Sequence, residues 1–205
     1  MSTFNVPPPL PDRVGDPIGS TSAWNVPNGL TVFRLLLVPL FGYLLLVDDG
    51  SNRTMRLWAA LVFAIASWTD LLDGYLARRQ NLVTNFGKIA DPIADKLLTG
   101  MALVGLSIIG RLPWWITVVI LVREVGVTLL RFWVIQHGVI PASRGGKLKT
   151  LLQMFALFGY ILPITGFWFV VAEVLMYAAV VVTVVTGVDY IVKAVRLRRA
   201  ALAAQ

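Results

Sequence analysis

Long runs of Leu, Val, Ile, Ala and Phe recur along this chain without the two-residue alternation of a half-buried strand, and short polar stretches separate them. Runs of that kind predict helices. A hydrocarbon layer about 30 Å thick is crossed by roughly 20 apolar helical residues, and six segments approach that size. The first covers 29–47, is broken by Pro39 and carries Arg34. The second covers 57–77, with acids in its last third. The third, 86–110, has Asp91, Asp95 and Lys96 near its start, and the fourth, 112–135, contains Arg123, Glu124 and Arg131. A polar stretch, 136–150, precedes a fifth segment that turns at Pro163 to Gly166, and the sixth covers 167–191. Residues 1–27 are rich in Pro, Ser, Gly and Asp and lack a signal-peptide pattern, so they read as a tail or surface helix. Residues 28–205 read as one six-helix membrane catalytic domain without internal repeats.

Composition agrees with the pattern: 57% of the residues are hydrophobic and 14% charged, far from a soluble domain. The expected class is an all-α integral membrane protein, because lipid leaves only helices or closed barrels as spanning structures. The net charge of +7 does not point to nucleic acid, since the basic residues lie between apolar segments or after the last one. They read as topology signals and as contacts for membrane lipids. Arg78, Arg79, Lys88, Arg144, Lys147, Lys149, Lys193, Arg196, Arg198 and Arg199 flank one side; only Arg53, Arg56 and Arg111 flank the other. The positive-inside rule then puts both termini, and the acid-bearing ends of segments two and three, on the cytoplasmic face of the cell membrane. There is no cysteine, which removes disulfides, thiol nucleophiles and thiolate metal sites.

Asp70 and Asp73 are three apart on one helix, and Asp91 and Asp95 four apart on the next, so each pair shares a helix face. A short loop makes the two helices antiparallel neighbours, and the four carboxylates converge. At about 5.5 Å and an effective dielectric near 20, two ionised carboxylates repel by about 3 kcal/mol. Protonation, basic partners or bound cations must offset that. With no His or Cys nearby, the donor set is hard oxygen, which favours Mg²⁺ or Mn²⁺ over Zn²⁺. The plainer alternative is four helix-end acids facing water or forming interhelical ion pairs. Gly74 lets a base or phosphate approach the helix, Ala77 keeps the groove open, Arg78 can grip a diphosphate with both nitrogens, and Gly87 permits close helix contact. The glycines alone also suit ordinary small-residue packing.

The string Asp70-x2-Asp73-Gly74-x2-Ala77-Arg78-x8-Gly87-x3-Asp91-x3-Asp95 resembles, at all eight fixed positions, the signature of the CDP-alcohol phosphotransferase family. The resemblance implies that family's fold of six transmembrane helices, a homodimer, two divalent ions, and displacement of CMP from a CDP-linked lipid. It implies that Asp70, Asp73 and Asp91 hold metal, and that Asp95 is the general base and can also touch a metal. Asn25 to Arg34, Arg123-Glu124-Val125 with Arg131, and Gly146 to Thr150 with Gln153 resemble the phosphatidylglycerophosphate synthase branch. The implied substrates are CDP-diacylglycerol and sn-glycerol 3-phosphate.

Arg123 and Arg131, eight apart on one face, with Lys147 and Lys149 from the next helix, are candidates for the acceptor phosphate, Glu124 orienting an arginine. Positive-inside bias or headgroup contact accounts equally for the two lysines, and a structural pair with Glu124 for Arg123. Asn28, Thr31 and Arg34 share a face that suits the CDP-lipid; alternatively Thr31 bonds back to its helix and Arg34 snorkels to lipid phosphate. His137 reads as a boundary residue, Trp114 and Trp115 as an interfacial anchor, and Asp189 as an i,i+4 partner of Lys193. Glu173 has no role beyond a polar boundary. Two other acceptors remain open, phosphatidylglycerol giving cardiolipin and inositol phosphate, as does a different class, a divalent-cation transporter.

Overall fold

The computed structural model describes the backbone of residues 26–80, 85–134 and 144–203, and the side chains of 29–69, Ala90, 93–130 and 145–199. Six α-helices follow one another up and down: α1 (Val26–Leu46), α2 (Arg53–Gln80), α3 (Asn85–Ile108), α4 (Trp114–Val134), α5 (Arg144–Ile161) and α6 (Phe167–Ala203). The described residues contain no strand. Helix α1 packs on α2 and α3, and α6 on α4 and α5; contacts of α2 with α5, and of α3 with α4 and α5, join the two triplets.

The core is a seam of Phe41, Leu45, Leu103, Leu106, Ile116, Ile120, Leu157, Ile161 and Met176, all fully enclosed. Phe41 and Phe63 bring their rings to 5.6 Å. Small residues set the closest approaches, as is usual where helices meet in lipid. A Cβ on Gly105 would lie 2.7 Å from Leu45 Cδ2, and one on Gly159 would lie 2.5 Å from the Cβ of Ala172. The outer surface is equally apolar. Leu36, Val122, Leu129, Val174, Val181 and Val185 are 61–67% exposed, an arrangement that in water would make a large sticky patch and in lipid faces its own kind. Among the described residues two segments, Gly29–Gly50 and Phe167–Arg199, are long and apolar enough to cross a membrane.

The helices fall close to the six apolar segments, including the turn at 162–166, but three features differ from the sequence reading. Helix α1 runs unbroken through Pro39; a proline removes one amide donor, and inside a helix bundle neighbouring groups accommodate the loss. Helix α6 does not stop near Ile191 but carries the basic tail on to Ala203, with Lys193 Nζ donating to Asp189 Oδ2 at 2.6 Å. The α1–α2 connection is a tight 3-10 turn, Val47–Gly50, in which Asp48 and Asp49 take left-handed φ of 53° and 51°. Asn52 then caps α2 by accepting from the amides of Thr54 and Met55 at 3.1 and 3.2 Å. Helix α3 ends on Gly110 at φ 69°, with the Arg111 amide donating to Leu106 O and that of Gly110 to Ser107 O, a Schellman stop.

Arg56 is buried at the far end of the bundle from the aspartate-bearing helix ends. Its guanidinium donates to the carbonyls of Tyr160 (2.8 Å), Ile161 (3.0 Å) and Leu162 (2.7 Å). Those are the orphan acceptors at the end of α5, so a side chain of α2 terminates a helix more than 100 residues away.

Candidate active site

Helix α2 ends and α3 begins on either side of residues 81–84, so the backbone positions of Asp70, Asp73, Gly74, Ala77 and Arg78 and those of Gly87, Asp91 and Asp95 share one end of the bundle. The side chains of Asn28, Asp70, Asp73, Ala77, Arg78, Asp91 and Arg131, and all of His137, lie outside the described residues. Asp95 is described: its side chain is exposed and lines a cavity of about 160 Å³ between α3, α4 and α5. Lys96, Thr99 and Gly100 complete the α3 wall, Leu121, Glu124 and Val125 form the α4 wall, and α5 contributes Lys149, Gln153 and Leu157.

Glu124 is the electrostatic centre of this cavity. Its Oε1 accepts from Lys149 Nζ at 2.5 Å and from Arg123 Nη1 at 2.9 Å, and its Oε2 from Lys96 Nζ at 3.4 Å. Three cations on one carboxylate leave positive charge in excess, which is the polarity an anionic substrate needs. Lys149 is 5% exposed and Glu124 about a quarter. A lysine so enclosed is held by its partner, and removing that partner would strand a buried charge.

The structure separates residues that the sequence grouped together. Lys149 enters the cavity, whereas Lys147 lines an apolar groove of about 550 Å³ between α2 and α5 with Phe63, Ala64, Ser67 and Phe155. Two residues apart on a helix is about 200° of rotation, so one face cannot hold both. Arg123 is turned toward α6: Nη2 donates to Thr186 Oγ1 at 3.0 Å, and its Cγ would lie 3.2 Å from a Cβ on Gly187. Arg123 is therefore the brace of Glu124 rather than part of the cavity wall. Thr31 and Arg34 are enclosed by the bundle, at 1% and 0% exposure; a snorkelled arginine would be exposed. Trp114 and Trp115 are half exposed, and Trp115 stacks on Tyr177 at 6.2 Å.

Sequence reasoning assigned no role in the site to Lys96, Gln153 or Thr186. The first adjoins Asp95 and the second is four residues from Lys149, so helical spacing alone could have found both. Nothing local marks Thr186, which meets Arg123 across 63 residues of chain.

Among the described residues no three acids or histidines stand close enough to hold a metal. Asp95 is the described member of the aspartate set, and the cavity it opens on offers carboxylate, hydroxyl and amide oxygens, with no thiolate or imidazole and only the weakly ligating thioether of Met154. That donor chemistry fits a hard divalent ion.

A sequence profile of the CDP-alcohol phosphatidyltransferase family matches residues 24–185. A protein of Mycobacterium tuberculosis named "Probable phosphatidylglycerophosphate synthase" is 50% identical over 184 residues, covering 90% of this chain and 88% of that one. A Bacillus subtilis protein named CDP-diacylglycerol–glycerol-3-phosphate 3-phosphatidyltransferase is 40% identical over 183 residues, covering 83% and 95%. A Haemophilus influenzae protein of the same name is 35% identical over 174 residues, covering 82% and 92%. With Asp95 of α3 opening on a cationic cavity, and a family match over most of its length, this chain belongs to the CDP-alcohol phosphatidyltransferases, membrane enzymes of the transferase class.

Proposed function

We propose that this enzyme transfers the phosphatidyl group of CDP-diacylglycerol to sn-glycerol 3-phosphate, giving phosphatidylglycerophosphate and CMP in phospholipid synthesis. All six helices cross the cell membrane, both termini and the site face the cytoplasm, and the protein works as a homodimer. The observation that carries the acceptor assignment is the cavity in which Asp95 stands beside Lys149, with Glu124, Lys96 and Arg123 behind them. An acceptor that bears phosphate at one end and a nucleophilic hydroxyl at the other needs a cation and a proton acceptor in one small space.

Asp70, Asp73, Asp91 and Asp95 would hold two Mg²⁺ (or Mn²⁺) ions, which would supply neutralisation of the diphosphate. Asn28, Gly74, Ala77, Arg78 and Gly87 form the surface that receives the CDP-lipid, on α1, α2 and the start of α3, and Thr31 and Arg34, enclosed in the bundle, support it from behind. Lys149 is the first contact for the acceptor phosphate, with Arg131 on the same end of α4. Lys147, beside the apolar groove, serves a phosphate nearer the lipid. Glu124 holds Lys149 in place, and Arg123 holds Glu124. Asp95 takes the proton from the attacking hydroxyl, a role for which a carboxylate within hydrogen-bond reach suffices. The relatives' names support this acceptor over phosphatidylglycerol, and the net cationic polarity of the cavity suits its phosphate.

Purified protein in detergent, given CDP-diacylglycerol and Mg²⁺, is expected to release CMP on addition of sn-glycerol 3-phosphate. Release only with phosphatidylglycerol or inositol phosphate would overturn the acceptor assignment. Metal flux into liposomes without nucleotide turnover would overturn the reading as an enzyme.

A further inference from the structure

Gln153 is a buried residue to which the reaction above gives no task. It is 2% exposed, and its carboxamide oxygen has no hydrogen-bond donor. It lines the same cavity as Asp95, Lys149 and Glu124. On α5 it stands one turn, about 6 Å, beyond Lys149 and one turn before Leu157, which is fully enclosed. Gln153 is thus the last polar position on that face of the helix before the wall becomes apolar. Buried amide oxygens are almost always satisfied, and one that is not calls for an explanation. The neighbouring carboxylate of Glu124 is engaged by three cations, whereas the Gln153 oxygen has no donor at all.

We propose that Gln153 is a specificity-determining residue: its carboxamide oxygen accepts a hydrogen bond from the acceptor hydroxyl that neither attacks nor carries phosphate, the C2 hydroxyl of glycerol 3-phosphate. This rests on the acceptor assigned under Proposed function. The phosphate is drawn to Lys149, the attacking C1 hydroxyl lies toward Asp95, and the C2 hydroxyl between them is left to be satisfied by the cavity wall. A site that offers an acceptor to a substrate hydroxyl discriminates against an analogue that lacks it, because the protein oxygen then stays unpaired in the complex. The same oxygen turns away an apolar chain of equal length, so the cavity selects a polyol phosphate rather than any short alcohol phosphate.

The test is a cycle of two acceptors against two proteins. Initial rates of CMP release are measured in mixed micelles of CDP-diacylglycerol with Mg²⁺, using sn-glycerol 3-phosphate and 3-hydroxypropyl phosphate, which lacks only the C2 hydroxyl. The wild type is expected to prefer glycerol 3-phosphate by about tenfold or more in kcat/KM. Gln153→Met, close in volume and without an acceptor oxygen, should bring the two acceptors to within about twofold, through loss on glycerol 3-phosphate, with the KM for CDP-diacylglycerol unchanged. A preference that survives Gln153→Met, or a wild type that does not distinguish the two, would overturn the proposal. If Gln153→Met does not fold, Gln153→Glu is read instead: it keeps an accepting oxygen and must keep the preference, since any repulsion of the phosphate is common to both acceptors and cancels in the ratio. The acceptor assignment itself is judged on the wild type alone. CMP release with some other alcohol and with neither phosphate ester would reject that assignment, whereas turnover with both and no effect of residue 153 rejects only the inference.

Discussion

Both ends of this bundle bury cations, and they treat them in opposite ways. At the far end Arg56 donates to three consecutive backbone carbonyls that close α5, and Arg111 lies 4.9 Å from the ring centre of Phe169. The three carbonyls are fixed in the fold, so the charge of Arg56 is committed to architecture. At the aspartate end Lys96, Arg123 and Lys149 share a single carboxylate beside an open cavity. That group has fewer anions than cations and can take up another without losing its own. The lesson is that a buried arginine or lysine in a membrane protein becomes evidence of function through its partners. Backbone oxygens mark a strut, while an over-subscribed carboxylate beside empty space marks a site.

Four substitutions can break or sharpen this contrast. Asp95→Asn should lower CMP release by about a thousandfold or more, the scale of a lost proton acceptor, while detergent thermal stability and binding of the CDP-lipid stay near wild type; an undiminished rate removes Asp95 from the chemistry. Arg56→Met should do the reverse. Three carbonyls lose their donor, the folded state weakens by about 3 kcal/mol, and activity per folded molecule is kept; a changed KM for either substrate would mean that the far end is not merely structural. Lys149→Met should raise the KM for glycerol 3-phosphate by tens of times, on the order of 2 kcal/mol, with the CDP-diacylglycerol KM unmoved; equal losses on both substrates would place Lys149 outside the acceptor region. Lys193→Ala removes an exposed i,i+4 ion pair and should shift stability by no more than about 0.5 kcal/mol, with kinetics unaltered. A large effect there would show that the helical tail belongs to the site.

Where a feature depended on neighbours in sequence, it could be read in advance. The turn at 162–166 is written in Pro163 and Gly166, the Asp189–Lys193 pair in its spacing, and the meeting of the α2 and α3 ends in the short loop between the aspartate pairs. Pro39 was expected to break α1 because propensity disfavours it, but the bundle holds the helix together. The stop of α6 was misplaced because loss of hydropathy is not loss of helicity, and Arg, Leu and Ala continue a helix well. Lys147 and Lys149 were grouped by proximity in the chain although the helical repeat separates them. The Glu124 cluster and the clasp of Arg123 by Thr186 join residues 25 to 63 positions apart, and no local rule encodes which distant partner a buried charge will find.

Helix α6, 37 residues in a single rod, is about 55 Å long at 1.5 Å per residue, nearly twice the hydrocarbon thickness. In the topology proposed above, its surplus leaves the oil on the side of Asp95 and carries Arg196, Arg198 and Arg199 into the layer of anionic headgroups, where each basic group is worth about 1 kcal/mol. Because Thr186 and Gly187 of the same rod clasp Arg123, the grip of those arginines on the surface fixes how deep the bundle floats. The chemistry is thereby berthed at the waterline, within reach of a fatty donor from one side and a dissolved acceptor from the other.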